Sequence, residues 1–134
     1  MQTAHTELDG QHLRAPGTGD VWLVFHGLRH RVVTPLALLE NDHATEYADL
    51  ETIAVGPELS PEARLLRPAG LPYVYLVFGA PKTIRCLVAT LETFLEFRFS
   101  ASRVVDVPPI VLDAIPVGPE LQGAADRLNR DVSS

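Results

Sequence analysis

The sequence predicts an α+β fold: a single compact domain built by internal duplication from two similar β-α-β-α halves and closed by a pseudo-two-fold. Three observations lead there. VWLVF at 21–25 is answered by VYLVF at 74–78, VGPEL at 55–59 recurs at 117–121, and the two words keep the same order in both copies. From Val21 to Val55 is 34 residues and from Val74 to Val117 is 43, so the second copy carries an insertion of the kind a loop absorbs. Two copies are too few for a solenoid, whose units need several neighbours to bury their faces. A chain of 134 residues is long enough for one hydrophobic core. The domain is expected over 21–134, with half-repeats 21–70 and 71–134. Before it comes a polar N-terminal arm, 1–20, ending in APGTGD and expected to be loosely held, in which Asp9-Gly10 suits the turn of a small hairpin.

Each element then follows in order. VWLVF and VYLVF are apolar at every position, as in a strand covered on both faces. A short basic loop word follows each, HGLRH or GAPKT, and then a helix. In the first copy Thr34-Pro35 supplies a cap and first-turn pair ahead of LALLE. In the second, Ile84, Leu87, Val88, Leu91, Phe94 and Leu95 keep the i, i+3, i+4, i+7 spacing of one helix face. The acidic run at 40–51 predicts a solvated stretch entering a return strand at ETIAV, matched in the second copy by VVDV and IVLDAI around Pro108-Pro109. VGPEL suits a strand-to-helix junction: glycine permits the turn, proline presets the first helical φ and glutamate complements the helix dipole. The helices expected after it start at Ser60-Pro61 and at Leu121.

Charge and cysteine content narrow the function classes. With 11 Lys and Arg against 17 Asp and Glu the formal charge is −6, which repels phosphate backbones and anionic membrane surfaces, so neither nucleic acid nor membrane is an expected partner. The single cysteine, Cys86, excludes an internal disulfide and a C-x-x-C framework and suits a reducing cytoplasm. The opening residues carry no cationic region followed by an apolar run, and no span of eighteen apolar residues occurs. No metal or cofactor is implied. His26 and His30 have ligand spacing only on a helix, which Gly27 and the preceding strand disfavour.

The candidate site lies after the central strands, where His26, Gly27, Arg29 and Arg31 in one copy correspond to Lys82 and Arg85 in the other. A glycine loop with cations at a strand end can present N–H groups and forked guanidinium donors to an anion. The expected function is therefore a small soluble binding or regulatory module, homodimeric, that captures a small anionic ligand. The alternative is a small enzyme using His26 or His30 as general base, since imidazole titrates near neutral pH. A purely structural interaction protein is the third class. LVFHG is similar to the strand and His-Gly that precede the oxyanion loop of α/β-hydrolases, but the likeness spans five residues and no G-x-S-x-G elbow accompanies it. Cys86, which corresponds by counting to Val33, and the matched pair Trp22 and Tyr75 are expected to pack in the core or, for the aromatics, against a second subunit.

Overall fold

The computed structural model describes residues 3–17, 19–33, 39, 44–79 and 82–123. It is a mixed α+β structure of two four-stranded sheets and few helices. The first sheet has the order β3-β2-β1-β4, from β1 (His12–Arg14), β2 (Val21–Phe25), β3 (Leu28–Val32) and β4 (Thr45–Glu46). The second has the order β7-β6-β5-β8, from β5 (Arg64–Pro68), β6 (Val74–Phe78), β7 (Ile84–Val88) and β8 (Val104–Val107). In each, three antiparallel strands form a meander and the first of them takes a fourth, parallel strand along its other side. VWLVF and VYLVF therefore hold the same place, second strand of a similar sheet unit.

The units are not β-α-β-α. The segment after each central strand is another strand, because its side chains alternate between two covered faces. Cys86 and Val88 are buried on one side, while Arg85 and Leu87 are half-buried on the other. The helix expected across KTIRCLVATLETFLEF shrinks to α1 (Leu91–Glu96). It starts where Thr90 Oγ1 accepts the Thr93 N–H and stops at Phe97, before Arg98 turns to a φ of 57°. Ser60-Pro61 opens a turn rather than a helix. A second short helix, α2 (Pro109–Asp113), begins on the Pro108-Pro109 pair that was expected to break a strand. The helices expected over 35–39 and after Leu121 fall largely outside the described residues. Within the segment expected as a polar arm, His12–Arg14 form β1 and the Thr3 N–H bonds the Thr52 carbonyl.

Strand register assigns the faces. Leu23, Phe25, His30 and Val32 point to one side of the first sheet, and Leu76, Phe78, Cys86 and Val88 to one side of the second; together they form the main core. Phe25 meets Phe78 edge-on at 5.3 Å in its middle. The outer face of the first sheet, with Leu13, Trp22 and Val24, is covered by Tyr47, Leu50 and Ile53. That of the second, with Leu66, Tyr75 and Val77, is covered by Leu112 of α2 and Ile115. The result is two sheets packed inner face to inner face, each with its own outer cover.

Candidate functional site

The candidate residues sit on and beside the edge strands β3 and β7, which carry the VGPEL words. Val55 bridges Arg29 and Val117 bridges Arg85, both in parallel sense. The Arg29 and Arg85 N–H groups bond Ala54 O and Pro116 O, and the arginine carbonyls accept from Gly56 and Gly118. VGPEL is thus extended chain along an edge, not a helix junction. Gly56 lies against the His30 ring and Gly118 against Ile84 and Cys86, so a Cβ at either place meets a side chain. Leu59 and Leu121 plug the main core, while both valines stay exposed. His30 and Cys86 are therefore structural counterparts, each opposite a leucine of the central strand, Leu23 or Leu76. Counting from the central strands matches Cys86 to Val33 instead, because it misses the three extra residues in the second hairpin loop.

Arg29 and Arg85 are also counterparts. Arg29 Nε donates to Ile53 O at 3.0 Å with its guanidinium 4.4 Å from the Trp22 ring, and Arg85 Nε donates to Ile115 O at 2.9 Å with its guanidinium 5.0 Å from Tyr75. Each arginine ties the outer cover to its sheet. Since the sheets meet by their inner faces, these two cations lie on opposite outer faces and do not share a cavity. Arg31 is exposed between Asp20 at 3.5 Å and Glu58 at 3.3 Å.

The first hairpin is closed by its own chain. Its two-residue turn takes left-handed φ values at His26, 54°, and Gly27, 75°. Asp9 Oδ1 accepts the Gly27 N–H at 2.9 Å, the His5 N–H bonds the Gly27 carbonyl, and His26 Nε2 lies 2.9 Å from Pro119 O of the second VGPEL. His30 is sealed in the core. Its ring stacks on Phe25 at 3.6 Å, with Nδ1 2.8 Å from Pro57 O and Nε2 3.1 Å from Phe25 O. Burial pushes its pKa down to about 4 against the pull of those two carbonyls, and nearby His26 adds to the fall. Without a path to solvent His30 has no access to a substrate proton, so the general-base role expected of it has no geometric support. Burial likewise pushes the Cys86 thiol up to about 11.

The second hairpin differs in loop length. Five residues, 79–83, join β6 to β7 where two suffice in the first unit. Glu62 stands three residues before Leu65, the strand position equivalent to His12, and so occupies the place of Asp9. Among the described residues a cleft of about 370 Å³ lies here, lined among others by Glu62, Arg64, Gly79, Thr83 and Ile115. Lys82, exposed, borders an adjoining and more open cleft with Thr83, Ile84 and Ala114–Pro116. Arg64 and Lys82 give this corner its cations. Arg64 escaped the sequence reading; the signal that finds it is the β1–β5 correspondence, which only strand pairing exposes.

Among the described residues no cluster of three or more His, Cys, Asp or Glu side chains is placed to hold a metal ion, and no helix is long and apolar enough to cross a membrane. Comparison with known proteins gives no matching family model, no matching curated protein and no matching solved structure.

Proposed function

We propose that the chain is a small binding module that captures a small anionic ligand at the clefts beside the β6–β7 connection of its second sheet, with Lys82 and Arg64 as the anion-facing cations and Thr83 as a hydroxyl donor. The observation that carries this reading is the contrast between equivalent corners. The first is shut by Asp9, His5 and Gly27, and the second holds a cleft lined by Arg64 and Glu62 with Lys82 bordering an adjoining one, two cations to one carboxylate. Arg29, Arg31, Arg85, His26 and Gly27 then serve the scaffold, since each has a contact within the chain. An ammonium at an exposed cleft adds mostly point-charge attraction, and a guanidinium adds forked donors, so carboxylates and phosphates are the fitting classes.

The reading extends to origin and assembly. An ancestral duplication accounts for two sheets with the same strand order and for two VGPEL words bonded alike to Arg29 and Arg85. A homodimer is supported by apolar side chains left in water on the second unit, Leu91, Leu95, Ile110 and Val117. A reducing, cytoplasmic setting suits the lone buried thiol of Cys86.

The test is thermal unfolding against inorganic phosphate, citrate and adenosine monophosphate, with sodium chloride matching ionic strength. At least one anion is expected to raise the melting temperature in a saturable way, because ligand bound only to the folded state stabilises it. Lys82→Ala and Arg64→Ala should abolish the rise and Arg31→Ala should leave it. No saturable shift, or a shift that survives both cleft substitutions, overturns the proposal.

A further inference from the structure

A second cleft lies at the other end of the second sheet, under α1. It measures about 230 Å³, and its walls are Val74, Val88, Phe94 and Val104, with Leu91 and Ala101 at the rim and Arg67 and Thr90 as its polar groups. Strand pairing again gives the first unit's counterparts. Val21 pairs with Val32 as Val74 pairs with Val88, and Val21 is buried where Val74 is only partly so. An inner-face valine that is covered in one unit is thus left reachable in the other. The apolar walls are continuous with the main core, so an occupant would extend that core.

The polar groups fix the head of the occupant. Arg67 is held by Asp106 through two bonds, Nε to Oδ1 at 2.6 Å and an Nη to Oδ2 at 3.1 Å. A guanidinium has five N–H donors, so this pairing leaves others to give, yet the pair as a unit carries no net charge. Such a pair favours an uncharged acceptor over a carboxylate, which would face Asp106, and over a cation, which would face Arg67. An apolar cavity of about 150 Å³ accommodates benzene. A cleft half as large again suits about six to eight carbons or a substituted ring, by the same comparison of volumes.

We infer that this cleft is a binding site for a small, uncharged, mainly apolar molecule with one hydrogen-bond acceptor, such as a short acyl amide, seated on Val74, Val88 and Phe94 with its carbonyl toward Arg67. The site is separate from the basic corner and does not depend on it.

The test uses hexanamide as probe, with hexanoate and hexylamine as charged controls of equal chain length, read by methyl chemical shifts of the full chain. Hexanamide is expected to move the Val74 and Val88 methyl signals saturably and more tightly than either control. Ala101→Trp should abolish the effect by closing the rim, and since Ala101 is exposed the variant keeps its fold; Val104→Phe, filling the wall, provides a second block. Lys82→Ala should leave hexanamide binding intact, which separates this site from the anion corner. No saturable shift at Val74 and Val88, binding that survives both blocking variants, or hexanoate binding more tightly than hexanamide overturns the inference.

Discussion

His30 is a polar ring placed where its counterpart in the second unit is a thiol, and this choice makes folding sensitive to pH. A neutral imidazole has one N–H, so it can donate to Pro57 O or to Phe25 O but not to both, and the cation that would satisfy both is opposed by complete burial. The unfolded chain binds the proton near pH 6.5, whereas the folded one resists it down to about 4. Stability from this residue is therefore full above pH 6.5 and falls as pH drops toward 4, a loss of about 3 kcal/mol from the difference in pKa. Urea unfolding at intervals between pH 7 and 4 should show that slope, and His30→Phe should flatten it while lowering stability at pH 7 by about 1–3 kcal/mol for the carbonyl left unpaired. A slope unchanged by the substitution would place the titration elsewhere. Cys86 gives the complementary prediction: a fully buried thiol held near 11 should react with a thiol reagent at pH 8 only as fast as the chain opens, and fully in denaturant.

At the scale of elements, VGPEL is a rule for packing extended chain on an edge strand. Its glycine must lack a Cβ, since Ala at 118 would bring one within 2.6 Å of Ile84 Cδ1 and 3.0 Å of Cys86 Sγ, and at 56 it would overlap the rigid His30 ring. Gly56→Ala should therefore destabilise more than Gly118→Ala, whose neighbour is the tip of a flexible side chain. Leu59→Ala and Leu121→Ala should each lose about 2–5 kcal/mol, while the exposed Val55→Thr and Val117→Thr stay within about 0.5 kcal/mol. Chemical denaturation of the six variants checks the order. This explains what the sequence made legible. Repeated words recur where the same packing is imposed twice, so the paired strands and similar units could be found from letters alone. The helix error has an equally physical cause: Ile84, Leu87, Val88 and Leu91 run through a strand, a turn and a helix, and a sheet covered on both faces lets apolar residues fall at helical spacing by accident. The polar opening segment looked detachable because Asp9 and His12 are buried by hydrogen bonds to Gly27 and Phe97, which hydropathy does not register. In the candidate site the cations were visible and their commitments were not. Whether Arg29 faces a ring and a carbonyl or a ligand depends on residue 53, far along the chain.

For the molecule as a whole, departures from similarity matter more than the similarity. Both clefts occur where the described residues of the two units differ, at the hairpin end where Glu62 stands in the place of Asp9 and at the inner-face valine that is buried as Val21 and only partly buried as Val74. Two sheets that each owned a core would unfold separately. Here Phe25, His30 and Phe78 meet at the joint, and Phe97 and Phe99 extend the same cluster, so neither sheet can lose its inner face without exposing the other's. Trp22, the only tryptophan, lies on the outer face of the first sheet and reports on that sheet by fluorescence. Its urea transition should coincide with that of far-ultraviolet circular dichroism, as for a two-state domain. Phe78→Ala, made wholly within the second sheet, should remove about 3–5 kcal/mol and shift the Trp22 transition by the same amount as the dichroism. A Trp22 midpoint that stays put while the dichroism splits into two steps would mean that the sheets are separate folding units, and a shared core would then be the wrong account of the molecule.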